Sequence, residues 1–432
     1  MKIHIFGLMI LKLNFNMRKY IPLLFSLFIV TTLFISCKNE KGSEVVNTYS
    51  RLDKGTWKVV LQVQDEKELP FLLEVKNDST FIVSNAVERI QTDEITINGD
   101  SIIFKMPIFE GVFKGKINST DLITGGFIKE SLDRVVPFKM EFGAVKRFET
   151  TKDPSSNISG SWETVFSPDD KNDRYIAKGI FKQEGTQVTG TFRTTTGDYR
   201  YLEGVMDGDR LKLSTFDGAH AFLFEATLTD STMVGDFYSG NHWKEPFQAI
   251  RNDTYELPSA SSLTYLKDGY ETIEFSFPNI ERELVSLQDD VYRDKVVVVQ
   301  IMGTWCPNCL DETKYYTQYY KDHQEKDVEF IALAFEYART EEKAWKAIKG
   351  LTNKVGVSYP ILLAQYGTSN KKKANDKLPM LNHVLSYPTT IFIDKKGKVR
   401  KIHTGFNGPA TGEKHLAFKA EFESFLNVLV KE

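Results

Sequence analysis

The chain has 432 residues, 41% hydrophobic and 26% charged, with a formal net charge of −3. That length exceeds what one hydrophobic core organises, so two or three domains are expected. Without residues 1–36, which hold Lys2, Lys12, Arg18 and Lys19 and no acid, 51 basic side chains face 58 acidic ones; so mildly acidic a chain has no electrostatic basis for binding nucleic acid.

From Met17 the chain reads Met-Arg-Lys-Tyr, then an apolar run from Ile21 to Ile35, then Ser36-Cys37. A short basic region, an apolar core and a small residue before the cleavage point describe a secretory signal over residues 1–36, with Met17 a complete start by itself. The apolar run is about 15 residues, short of the roughly 20 that span a bilayer as a helix. Leu33-Phe34-Ile35-Ser36-Cys37 resembles the lipobox of bacterial lipoproteins. That resemblance implies cleavage before Cys37, a lipid on its sulfur, and residues 37–54 as a polar tether holding the rest of the chain outside the cytoplasm.

Between Arg51 and Tyr255 no helical periodicity is sustained. Thr56–Gln64, Phe71–Val75, Thr80–Val83, Glu94–Ile97 and Ser101–Met106 read as strands, with Asn98-Gly99-Asp100 as a hairpin turn. The region repeats itself. Gly55-Thr56-Trp57 recurs as Gly160-Ser161-Trp162, Phe113 to Phe127 as Phe224 to Phe237, and Pro137-Phe138 as Pro246-Phe247, at offsets of 105, 111 and 109 residues. Two tandem antiparallel β-domains, barrels or sandwiches, are expected over 55–150 and 158–256. Trp57 and Trp162 are expected as core plugs. Asp198 to Tyr201 and Phe216 to His220 are candidate recognition loops. His220 and His242 have no His or Cys at ligand spacing, so no metal site is expected.

After Leu257-Pro258-Ser259 the pattern alternates strands and helices over residues 265–432. Lys295–Ile301 is an apolar run suited to a strand covered on both faces. Cys306–Gln324 is helix-compatible, Val328–Phe335 is a second buried strand, and Thr340 caps a helix reaching Val355. Lys371-Lys372-Lys373 reads as a solvated helix face. Thr389–Ile393 and Val399–Thr404 flank a hairpin turn, and Ala417–Lys431 is an amphipathic helix.

A strand, then Trp305-Cys306-Pro307-Asn308-Cys309 at a helix start, then Tyr387-Pro388-Thr389 before a hairpin resemble the thioredoxin superfamily, and within it the TlpA/ResA-type disulfide reductases. Zinc needs four ligands and no second cysteine pair exists. The resemblance implies an α/β thioredoxin-like domain and a redox disulfide, Cys306–Cys309, with no cofactor. At the helix N-terminus the dipole and free N–H groups favour the Cys306 thiolate as nucleophile. Cys309, one turn on, resolves the mixed disulfide. Pro388 matches the superfamily's cis-proline, with Trp305, Tyr387 and Thr389 beside it as substrate-docking residues. Thioredoxins proper carry a buried Asp where Gln300 stands here. The TlpA/ResA type carries instead a Glu at the position of Glu312, a proton acceptor for Cys309, followed two residues on by a Pro where this chain has Lys314. Gly405 to Pro409 resembles a loop of the family's lipoprotein members.

The expected protein is a lipid-anchored envelope reductase. Its partners would be cysteine-containing envelope proteins, a membrane or periplasmic electron donor, and the membrane through Cys37. An oxidase or isomerase of the same fold, or a non-catalytic envelope binding protein using its β-domains, are the alternatives. A peroxiredoxin-type peroxidase is disfavoured because Val299 occupies the required proline position and Thr304 stands one residue too close to Cys306.

Overall fold

The computed structural model describes residues 52–92, 94–324 and 327–432, so the leader, the tether and Cys37 lie outside the described residues. Two antiparallel β-structures come first. Nine strands between Gly55 and Phe142 form one sheet, in which the first strand, Gly55–Gln62, lies between the second, Glu68–Asn77, and the ninth, Arg134–Phe142. Eight strands from Gly160–Phe166 to Trp243–Arg251 close into a barrel. Alternation of buried and half-exposed residues, as in Gly160–Phe166, is what a strand with one face on a core produces.

The first strands of the two structures share a local device. Trp57 and Trp162 are both fully buried. Each indole N–H donates to the carbonyl four residues upstream, Asp53 O at 3.1 Å and Ile158 O at 2.8 Å, which satisfies the one polar atom of an otherwise apolar plug. The core of the nine-stranded sheet is completed from outside. Phe216 of the barrel stacks on Phe71 at 4.4 Å and meets Phe113 and Phe127 edge-on. Around it the contact is polar: Asn85 exchanges hydrogen bonds with the Phe216 backbone, and Arg147, buried and pushed down to about 10 by that burial, pairs with Glu203 at 3.2 Å.

The C-terminal domain is a five-stranded sheet in the order Ile361–Gln365, Val328–Phe335, Val296–Met302, Thr389–Ile393, Val399–Thr404. The first three strands are parallel and the last two antiparallel. Every residue of the central strand Val296–Met302 is buried, which is why its sequence is a continuous apolar run. Four helices surround the sheet: α1 Pro307–Asp322, α2 Glu341–Val355, α3 Lys371–Lys377 and α4 Glu413–Lys431. Thr340 caps α2 by accepting from Lys343 N–H, and Gly356 ends it in the left-handed region at φ 75°, a conformation that glycine adopts without steric cost. Helices α1 and α4 pack through Tyr315, Tyr316 and Tyr319 against Phe418 and Phe422. Both the turn into α1 and the turn into Thr389–Ile393 emerge at one end of the central strand, because Ile301 and Thr389 are paired in register. The topology thereby brings residues about 80 positions apart to one site.

Candidate active site

The central strand ends in the turn Gly303-Thr304-Trp305, closed by the Cys306 N–H donating to Gly303 O at 3.1 Å. A Cβ on Gly303 would lie 2.3 Å from the Trp305 indole nitrogen, so the ring can fold back over the turn only across a glycine. Cys306 is the N-cap of α1, with extended backbone, and its Sγ accepts from Cys309 N–H at 3.4 Å. Pro307 follows in the first turn, where a missing N–H costs nothing. On its other side the Cys306 thiol donates to Tyr387 O at 3.4 Å. Both cysteines are free thiols; Cys306 is 8% exposed and Cys309 is fully buried. Burial, then the neighbouring Cys306, holds the Cys309 thiol well above the ordinary thiol range.

Glu312 lies one turn beyond Cys309 and is also fully buried. Gln300 Nε2 donates to its Oε2 at 2.8 Å, while Tyr316 and Thr390 hydroxyls donate to its Oε1 at 3.0 and 2.9 Å. Gln300 is itself held by Thr313, whose hydroxyl donates to its Oε1 at 3.1 Å. Burial raises the Glu312 carboxyl to about 7 against the opposing pull of these three donors. It is therefore about half ionised near neutrality, which suits a group that takes and returns a proton.

A second buried carboxylate flanks the turn. Glu336 directly follows the strand Val328–Phe335 and accepts from Thr304 N–H at 2.8 Å and from Thr304 Oγ1 at 2.7 Å. Burial raises it, too, to about 7. Next to it, the Trp305 indole donates to Phe335 O at 2.9 Å and packs against Tyr337 and Tyr387.

Tyr387–Pro388 is a cis peptide bond. Tyr387 is buried among Trp305 and Phe335, and Thr389, fully buried, closes the turn by donating its hydroxyl to Ser386 O at 2.9 Å. The structure thus gathers Trp305, Cys306, Cys309, Glu312, Tyr387, Pro388 and Thr389 at one end of the sheet. The sequence assigns no role to Glu336, presents Thr304 only as a misplaced peroxidase threonine, and presents Gln300 only as an absent acid. An acid abutting the apolar run Ile331 to Phe335, at the C-terminal end of a parallel strand, is the signal that points to Glu336. The candidate recognition loops also have a different setting from the one expected. Asp198 and Arg200 are buried against the C-terminal domain, and Asp217 lies beneath them.

The Redoxin family matches residues 267–416. The thioredoxin-like protein YneN of Bacillus subtilis is 29% identical over 140 residues, 32% of this chain and 73% of that protein. The thiol-disulfide oxidoreductase ResA of Bacillus thuringiensis (strain Al Hakam) is 29% identical over 131 residues, 30% of this chain and 66% of ResA. Among solved structures, a thiol-disulfide oxidoreductase from Bacteroides fragilis aligns with 34% of this chain and 99% of its own, at 19% identity and a TM-score of 0.26. The chain is a thioredoxin-like disulfide oxidoreductase. Residues 267–416 are similar to the Redoxin family and to TlpA/ResA-type members of the thioredoxin superfamily, and they are the part of the chain that carries this likeness.

Proposed function

We propose that the chain reduces protein disulfides outside the cytoplasm, tethered by a lipid on Cys37, with Cys306 and Cys309 as its redox pair. The observation that carries this reading is Cys306 at the N-cap of α1, accepting from Cys309 N–H, with a buried Glu312 one turn beyond. The Cys306 thiolate attacks one sulfur of a substrate disulfide. That S–S bond breaks, a Cys306–substrate bond forms, and the other substrate sulfur leaves and takes up a proton. Cys309 then yields its proton toward Glu312 and attacks Cys306 Sγ, releasing the second substrate thiolate. Two electrons pass to the substrate and a Cys306–Cys309 disulfide remains, to be re-reduced by a dithiol donor of the membrane or periplasm. Cysteine-containing envelope proteins are the substrates of this cycle, and Trp305, Tyr387 and the Pro388 turn are the surface that receives them. Run in the opposite direction, the same pair would act as an oxidase or isomerase, so its reduction potential decides the direction.

We read the nine-stranded sheet and the barrel as two copies of one β-module, residues 55–150 and 158–256, which the shared indole-to-carbonyl bonds of Trp57 and Trp162 support. The test of the redox reading is a Cys309→Ser chain expressed with its envelope proteins. Adducts on Cys306 that are released by dithiothreitol are expected, together with insulin reduction by the wild-type chain. A chain that captures nothing and leaves insulin oxidised sinks the proposal.

A further inference from the structure

The barrel reaches the redox pair directly. Between strands Gln187–Thr194 and Leu202–Asp207 its connecting loop lies on the face of the C-terminal domain that carries Cys306. Thr196 O accepts from the Ser386 hydroxyl at 2.8 Å, two residues before Pro388. Asp198 O accepts from Asn308 Nδ2, between the two cysteines, at 3.2 Å, and the Asp198 carboxylate accepts from Gly408 N–H at 2.6 Å. A Cβ on Gly197 would come within 2.0 Å of Asn308 Nδ2, and one on Gly405 within 2.7 Å of the Thr196 carbonyl carbon. At Gly405 backbone meets backbone, and at Gly197 backbone meets the Asn308 side chain, with no room for an intervening polypeptide.

Asn308 lies two residues after Cys306, Ser386 precedes the Tyr387 whose carbonyl accepts from Cys306, and Gly405 N–H donates to Pro388 O at 2.9 Å; these three and Gly408 are each already bonded to or in contact with this one loop. Behind the loop, buried Arg200 pairs with Asp311 of α1, with Glu88 of the nine-stranded sheet at 2.6 Å and with Asp217 of the barrel at 3.6 Å. The attachment is polar. Among the described residues, the hydrophobic clusters of the barrel and of the C-terminal domain share no member. Buried ion pairs return little net stability over their separated, hydrated charges. Ile108 and Phe109 of the nine-stranded sheet pack on the C-terminal core, but the loop's own bonds are polar, so the loop can part from Asn308, Ser386 and Gly408 while that apolar contact holds.

We propose that the loop Thr194–Arg200 is an intramolecular stopper: it occupies the ground a substrate polypeptide needs beside Cys306, and protein disulfides are reduced only when the loop lets go. The regulation of access deepens the reductase reading and rests on it for its purpose. In the closed state Cys306 remains open to small reagents and closed to large ones.

The test uses the full chain and two variants. Gly197→Ala crowds the Asn308 amide and strains the loop backbone, which holds φ 152° at that position, without leaving a buried charge unpaired. Asp198→Asn keeps the shape and weakens the charge-assisted bond to Gly408, so it serves if the first variant folds poorly, as thermal unfolding would reveal. Cys306 labelling is followed on its own peptide with iodoacetamide and with a maleimide carrying a polyethylene glycol chain, alongside dithiothreitol-driven insulin reduction. Both variants are expected to accelerate bulky-reagent labelling and insulin reduction by about tenfold, with iodoacetamide labelling changed less than about twofold. Bulky labelling at the wild-type rate overturns the stopper. If bulky labelling accelerates while no form of the chain reduces insulin, the stopper stands and the reductase reading falls.

Discussion

Replacing Glu312 by Gln is the perturbation whose consequences follow most directly from the geometry. The amide fits the same hydrogen bonds: its oxygen accepts from Gln300 Nε2, and its NH2 donates to the Tyr316 and Thr390 hydroxyls, which accept as readily as they donate. What disappears is the titration. The folded protein holds the Glu312 proton more tightly than the unfolded chain, with the carboxyl raised from its ordinary 4.5 to about 7, chiefly by burial. Its contribution to stability is therefore complete below about pH 4.5, is lost as pH rises toward 7, and amounts to about 3 kcal/mol at 1.36 kcal/mol per unit. Glu336 titrates in both proteins and cancels in the difference. Urea unfolding of the reduced proteins at pH 4.5 and 8.5, read by pulse-labelling of the fully buried Cys309, should show Glu312→Gln gaining on wild type by that amount at the higher pH. Catalysis should move the opposite way. Cys309 loses its proton acceptor, a role worth roughly 10²- to 10⁴-fold. Insulin reduction at pH 7 should fall by at least about a hundredfold, while iodoacetamide labelling of Cys306 stays unchanged. A variant that reduces insulin at the wild-type rate and keeps the same pH profile refutes the assignment and leaves Glu312 as a buried structural acid.

Two further substitutions probe the groups around the site. Thr304→Val removes the hydroxyl that donates to Glu336 and leaves one carboxylate oxygen buried without its partner, at a cost of about 1–3 kcal/mol; urea midpoints should show a larger loss at pH 8 than at pH 5, since only the ionised carboxylate suffers fully. Arg200→Met strands Glu88, Asp217 and Asp311 without their shared cation and should destabilise the chain by about 3–5 kcal/mol. Thermal unfolding at pH 8 and pH 5 checks it, with partial recovery expected at the lower pH as stranded carboxylates take up protons; a loss below about 1 kcal/mol would mean that the network does not hold the junction.

The parts of the molecule legible in the sequence are those written locally. Cys306 caps a helix because Pro307 and the residues after it begin one, and the run Lys295–Ile301 reads as a doubly covered strand because it is apolar without alternation, as the seven buried residues of Val296–Met302 require. The five strands read between Thr56 and Met106 all overlap observed strands, although the first ends at Gln62 and Gln64 opens a short helical turn. What depends on contacts between distant segments was not legible. Asp198 and Arg200 look like any exposed polar loop until Gly408, Asp311 and Glu88 are brought to them from 210, 111 and 112 residues away. Phe216, likewise, reads as the start of a candidate recognition loop and instead ends a barrel strand and completes the core of the neighbouring sheet.

Gln300 shows how the site compensates for an apparent loss. A carboxylate on the central strand, as in thioredoxins proper, would sit beneath the cysteines with its acidity set by burial alone. Here the strand supplies a neutral amide and α1 supplies the acid. Gln300 Nε2 donates to Glu312, and its Oε1 is occupied by Thr313, so the amide can present only its donor side to the carboxylate. A second acid in place of Gln300 would instead set two carboxylates against each other, and one of them would stay protonated far above neutrality. With the amide, burial pushes Glu312 up while three donors pull it down, and the balance falls at about 7. Lys314, which stands where the resemblance leads one to expect a proline, does not dislodge the acid. Lys314 lies on α1 near Asp311, whereas Glu312 is held from the strand side by Gln300 and Thr390 and from one turn further along α1 by Tyr316.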